Sequence, residues 1–302
     1  MAEVIGKFFI FCVALFLSAC NTTGSASNIN ALQSEARKDK DGGLYLEELH
    51  ARNKCSKRNP CDGPNTNITL SDHSIVGNKS FRFELAHGDC GPKDCNADRE
   101  RAELYYQWKT KSSLEVWKQE KWYRFYIFIP QDYNNIAPAK TSLIQWKGVK
   151  PSKDVLVMIQ THHGGLYFNH NGDTFDDRWW LLKNDKDMRG KWTEIVFNTN
   201  WHPNEDKGFM KVWIDGQMKV DYKGIANTPN GKGLSLRYGL YSSFLSRYEE
   251  ATGNKITPKR VVYFDGVRGD TSCKKVLKDK EKCNNLLSQT AFQKHVDVYS
   301  LK

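Results

Sequence analysis

Apolar and polar side chains alternate in short runs along most of this chain, and turn-forming residues separate one run from the next. From about residue 66 the alternation has a period of two, which is the pattern of strands with one covered face and one open face. The runs predict strands over residues 80–86, 102–108, 122–129, 142–146, 155–160, 166–169, 193–198, 209–214, 236–242 and 261–267. Asn-Gly at 171–172 and 230–231, Asp-Gly at 215–216 and 265–266, and Gly164-Gly165 punctuate them. Such pairs tolerate the positive φ that tight turns demand. The stretch 208–220, centred on Asp215-Gly216, predicts a hairpin, and only 273–288 reads as helical. Many short strands with few helices predict an all-β sandwich or jelly roll with short helical and loop extensions.

Three short strand-like segments carry polar pairs on one face. Side chains at i, i+2 and i+4 of a strand share a face. Arg101 therefore sides with Glu103, Gln145 with Lys147, and Arg237 with Tyr241. A surface that collects cations, an amide and a phenol suits an anionic chain. Taken singly, each motif has a plainer reading: Arg101–Glu103 as an exposed ion pair, Tyr241 as a half-buried sheet residue. Trp108, Trp146, Trp179, Trp180 and Trp201 are candidate platforms for sugar rings, although most Trp in a sandwich belong to the core. His162 and His163 follow a predicted strand and are placed to reach the same surface, or else to sit in a loop.

Charge and the N-terminus narrow the partners. Lys and Arg number 45 against 35 Asp and Glu, a net +10, which attracts nucleic acid, anionic lipid or acidic polysaccharide alike. Lys7 precedes an apolar run over 8–17 that is too short to span a bilayer and has the form of a signal-peptide core. It ends in Leu17-Ser18-Ala19-Cys20, which resembles a bacterial lipobox. The expectation is a signal peptide over 1–19, a lipid on Cys20, and export as a bacterial lipoprotein. Asn21 fits the outer membrane, on its periplasmic or cell-surface side. Residues 20–65 then form a tether and N-terminal extension, and 66–302 one domain. Residues 39–48 resemble half of a calcium loop, but Arg37 stands where a carboxylate must open it.

Outside the signal, the cysteines fall into three close pairs, Cys55–Cys61, Cys90–Cys95 and Cys273–Cys283, expected to be disulfides in an exported chain. Their spacing does not match a zinc site. Export also argues against a nucleic-acid partner.

The runs Arg101-Ala102-Glu103-Leu104, Trp122 to Pro130 and Gln145-Trp146-Lys147 resemble those of heparinase I-type polysaccharide lyases. So do Gly190 to Trp192, Val212 to Gly216, Tyr238-Gly239-Leu240-Tyr241 and Tyr263-Phe264-Asp265. The same layout is similar to that of the jelly-roll alginate lyases. The resemblance covers roughly residues 75–270. It implies a concanavalin-like β-jelly roll that binds a uronate-containing polysaccharide and cleaves it by β-elimination; a monomer without cofactor or metal is expected. By that resemblance Tyr241 is the acid and a candidate base. Arg101, Gln145 and Lys147 neutralise the sugar carboxylate, Glu103 positions Arg101, and Arg237 favours the phenolate of Tyr241. Glu103, Trp146, His162 and His163 are candidate substrate contacts. The family's Gln-x-His has lysine here, Lys147, which puts the usual base in doubt. The rival expectation is a non-catalytic module that binds acidic glycans. A glycoside hydrolase needs two opposed carboxylates, and no compelling pair stands out.

Overall fold

The computed structural model describes residues 49–52, 67–106, 118–148, 155–171, 177–227, 234–291 and 295–301. The expected lipidation at Cys20, the Cys55–Cys61 pair and Trp108 lie outside them. In chain order the strands are β1 (Leu49–Arg52), β2 (Ile68–Ser71), β3 (Ser80–Leu85), β4 (Arg99–Tyr106), β5 (Glu120–Phe128), β6 (Lys140–Gly148) and β7 (Val155–His162). There follow β8 (Gly165–Asn171), β9 (Asp177–Asn184), β10 (Trp192–Asn200), β11 (Phe209–Ile214), β12 (Gln217–Lys223), β13 (Leu234–Ser243) and β14 (Arg260–Asp270). Short helices α1 (Pro92–Cys95), α2 (Asp185–Met188), α3 (Leu245–Thr252), α4 (Cys273–Leu277) and α5 (Lys280–Leu287) are interspersed.

Two seven-stranded antiparallel sheets form the sandwich. The first runs β1-β4-β13-β6-β7-β8-β9 and the second β12-β11-β10-β5-β14-β3-β2. This is the expected jelly roll. Between the sheets lies an aromatic core that includes Phe81, Phe83, Phe125, Phe197, Tyr238 and Phe264. A buried ion pair also joins the sheets: Glu100 of β4 holds Arg260 of β14 at 2.6 Å.

The hairpin over 208–220 forms as read. Ile214 faces Gln217 across a two-residue loop, and Asp215 (φ 49°) and Gly216 (φ 81°) both take positive φ. That conformation matches the twist of the strands it joins.

Three readings of the pattern need correction. Asp265-Gly266 is not a turn: it is a bulge inside β14, where the register with β5 shifts between Asp265 and Arg268. The Asp265 carboxylate is used instead to accept the backbone N–H groups of Ile75 and Val76. The stretch 273–288 is two helices, α4 and α5, stapled by Cys273–Cys283. They pack on Trp122, Val196 and Trp213, on the outer face of the second sheet. Strand β9 escaped the pattern because Trp179-Trp180-Leu181-Leu182 does not alternate. Trp180 and Leu182 face the main core, whereas Trp179 and Leu181 lie under a C-terminal segment that packs Val298 on them. A strand covered on both faces reads as one continuous apolar run.

Candidate active site

The polar pairs emerge on the outer face of the first sheet, carried by β4, β13 and β6. Tyr241 lies opposite Arg101, Gly239 opposite Glu103, and Arg237 opposite Gln145. Between Tyr238 and Tyr241 the pairing of β13 with β6 slips by one residue, so that Tyr241 faces Ser142. Gly239 makes the slip possible. It holds φ 130°, and a Cβ there would stand 2.4 Å from the Ala102 carbonyl oxygen and 2.7 Å from the Phe83 ring.

Arg101 is the hub, and it is almost fully buried. Its Nη1 donates to Glu103 Oε2 at 2.6 Å, while Nε and Nη2 donate to the two oxygens of Asp94 at 2.9 and 3.0 Å. The other Glu103 oxygen accepts from the Gln145 side-chain amide. The Arg101 guanidinium lies 4.0 Å from the centre of the Tyr241 ring. One connected unit thus runs Asp94–Arg101–Glu103–Gln145, with the Tyr241 phenol stacked on its cation.

Asp94 was invisible in the strand pattern because it sits on α1, outside any sheet. The signal available in the sequence was the Cys90–Cys95 pair, whose disulfide closes the short loop that carries it. A further tie, from the Arg101 N–H to the Asp89 carbonyl at 2.8 Å, fixes the same loop to β4.

These contacts set the protonation states. Burial opposes the charge of Arg101, but Glu103 and Asp94 outweigh it and hold its pKa above the ordinary value. Burial raises the pKa of Tyr241; Arg101 and Arg99 pull it down, and Glu103 and Asp94 push it up again. The net effect is upward, so Tyr241 is a phenol at neutral pH. The cations that act on it are therefore Arg101 and Arg99, not Arg237 as expected. The reason is distance along one strand. Arg237 stands four positions back along β13, about 13 Å at a strand's rise, and faces Gln145 instead.

Other expected contacts are redistributed. Trp146 is a core residue with no exposure, packed on Tyr123, Phe125, Phe197 and Trp201. It lies between Gln145 and Lys147, so the alternation of β6 turns it inward. Trp180 and Trp201 are core as well. Lys147 stands opposite Ser235, partly exposed, and about 17 Å along β6 from Ser142 at roughly 3.3 Å per residue. The polar face is thus a track along the strands rather than a point. His162 and His163 lie at the end of β7, two strands from β13, and form a second group with Trp179. Among the described residues, no three His, Cys, Asp or Glu gather in a way that holds a metal ion.

A sequence profile described as polysaccharide lyase matches residues 46–268, which is most of the chain and includes every residue of the hub. The chain belongs to the polysaccharide lyase family. The resemblance read from its motifs is therefore correct, and this protein is a lyase. No curated protein sequence matches it. Among solved structures it is similar to an endo-β-1,4-glucuronan lyase from the fungus Trichoderma reesei. The identity there is 18% and the TM-score 0.56, over 78% of this chain and 95% of that one. It is also similar to alginate lyase A1-II′, at 12% identity and a TM-score of 0.50, over 71% of this chain and 87% of that one. A variant of the same alginate lyase aligns over its whole length at 11% identity, a TM-score of 0.52 and 77% of this chain. At such identities the likeness concerns the fold, which is the sandwich described above.

Proposed function

We propose that this lyase cleaves a 4-linked, uronate-containing polysaccharide by β-elimination on the outer face of its first sheet, with Tyr241 as the proton donor. The observation that carries the reading is the stack of the Tyr241 phenol on an arginine that two carboxylates hold in place.

In this reaction a base removes the C5 proton, a C4–C5 double bond forms, and the C4–O4 bond breaks. The leaving oxygen needs a proton, and a phenol whose pKa is raised still has one to give at neutral pH. The C5 proton is acidic only if the adjacent carboxylate is neutralised and the charge that develops there is stabilised. Gln145 supplies an amide for this, with its orientation fixed through Glu103. Lys147 and Arg237, next along the same face, supply cations. Arg101 has a different role from the one expected. Its guanidinium is engaged by Asp94 and Glu103, so it orients Tyr241 rather than gripping the sugar.

The test is ultraviolet absorbance of unsaturated products from glucuronan, alginate and heparin-type polymers. Wild type produces it with at least one of them. Tyr241→Phe keeps the ring on Arg101 and loses the hydroxyl, so kcat falls by about 10²–10⁴ while KM changes little. A Phe variant with wild-type kcat refutes the assignment.

A further inference from the structure

Beside the hub, on the same outer face, four basic side chains crowd together. Lys140 is opposite Ser243 on β13, two positions along β6 from the Ser142 that faces Tyr241. Its Nζ lies 4.9 Å from the Trp179 ring, 5.4 Å from the Tyr299 ring and 5.7 Å from the Phe244 ring. Arg247, on α3, stacks its guanidinium 4.3 Å from the centre of Phe244. The His162 ring packs at 5.7 Å on Trp179 and at 4.7 Å on His163. Its side chain is only 1% exposed.

The lasting cations here, Lys140 and Arg247, repel each other, and His162 is held in its neutral form. Lys140 and Arg247 each disfavour the charged form of His162, and Arg247 disfavours that of Lys140. Among the described residues no carboxylate lies within ion-pair distance of Lys140 or Arg247. The nearest anion felt by Lys140 is Asp177, and it is held off by an intervening hydroxyl. Lys140 donates to the Tyr299 oxygen at 2.9 Å, and Tyr299 donates to Asp177 at 2.7 Å. Arg101, by contrast, already has two carboxylates of its own. Among the described residues, Lys140 and Arg247 therefore stand on this face with no carboxylate in direct contact.

The rims are aromatic and open. Phe244 is 45% exposed and Tyr299 56%. Phe244 also keeps a left-handed backbone, φ 60°, which a bulky residue adopts only at a cost. Rings that flank cations with no carboxylate in direct contact match a sugar that bears a carboxylate: the ring faces stack on the sugar and the cations take its charge.

We infer that Lys140, Arg247 and His162, framed by Phe244 and Tyr299, form a uronate-binding subsite that holds a sugar neighbouring the one at Tyr241. The inference rests on the proposed reading of the substrate as an acidic polysaccharide, and it assigns to this substrate a second point of grip. The C-terminal segment belongs to the subsite. Val298, fully buried on Tyr167 and Trp179, fixes Tyr299 in place, and the Val296 N–H bonds the Trp179 carbonyl at 2.8 Å.

The experiment uses the full chain carrying Tyr241→Phe, to prevent turnover, and titrates 4-linked hexasaccharides of glucuronate, mannuronate and guluronate by calorimetry. Carboxyl-reduced hexasaccharides serve as the uncharged control. Adding Lys140→Ala and Arg247→Ala weakens binding of the preferred acidic hexasaccharide by about tenfold or more, that is, about 1.4 kcal/mol. The reduced sugars show no such difference. Phe244→Gly, which relieves the left-handed strain and so preserves the fold, also weakens binding. Unchanged affinity in both variants, with wild type still forming unsaturated product, overturns the subsite and leaves the lyase reading intact. Charge-dependent binding lost in the variants, with no product from wild type on any polymer, upholds the subsite and overturns the cleavage chemistry. Failure to bind any of the three acids, with no product from wild type on any polymer, overturns both.

Discussion

Replacing Asp94 by Asn tests whether Arg101 positions Tyr241. The wild-type carboxylate accepts two hydrogen bonds from a guanidinium that is 5% exposed. Each charge-assisted bond contributes about 1.5–3 kcal/mol. Asn keeps one acceptor oxygen, so the net loss is about 2 kcal/mol, which lowers the melting temperature of a domain this size by about 4–8 °C. Glu103 still holds Nη1, so the fold survives but the guanidinium gains freedom. If the same 2 kcal/mol is lost from the transition state, kcat falls about thirtyfold, and KM changes far less because Gln145 and the flanking cations are untouched. The pH profile supplies a readout that a merely structural role would not move. Asp94 is one of the carboxylates that raise the pKa of Tyr241, so its removal lets the phenol lose its proton at lower pH. Since the protonated form is the donor, the alkaline limb of kcat moves to lower pH. Steady-state kinetics of product absorbance across pH, with melting curves on the same samples, measure all of this. Asp94→Glu recovers part of the loss. A folded Asp94→Asn enzyme with wild-type kcat and an unmoved alkaline limb refutes the positioning role.

Further outcomes follow from the same geometry. Burial, with His163 and Lys140 adding to it, lowers the pKa of His162 to about 4, from 6.5 when unperturbed. The neutral imidazole therefore stabilises the fold above pH 6.5, and about 3 kcal/mol is lost as pH falls from 6.5 through 4. His162→Asn should flatten that part of the stability profile, and an unchanged slope in chemical denaturation would show that His162 is not its source. Tyr241→Ala removes the ring as well as the hydroxyl, so it should be less stable than Tyr241→Phe by about 0.5–2 kcal/mol, the worth of the cation–π contact; equal melting temperatures would sink that contact as a contributor. For the anchoring proposed at Cys20, Cys20→Ala should move the protein from the membrane fraction to the soluble one. Retention in the membrane would overturn lipidation.

Much of this protein was legible in its residues because strands advertise themselves. Period-two alternation and turn pairs such as Asp215-Gly216 exposed the sandwich. The spacing of Arg101 with Glu103 placed two polar groups on one face before any sheet was known, since pleating obeys local geometry alone. The same alternation turns Trp146 inward, between two outward residues. What stayed hidden depends on contacts between distant segments. Asp94 reaches Arg101 only because a disulfide loop folds over the end of β4. Tyr241 meets Arg101 because the cross-strand register of β13 with β4 sets them opposite each other, whereas Arg237 lies four residues away along the same strand. Tyr299 joins Lys140 across a separation of 159 residues. Local sequence sets which way a side chain points; only the packed sheets decide what it points at, because pairing register and loop closure are properties of the whole chain.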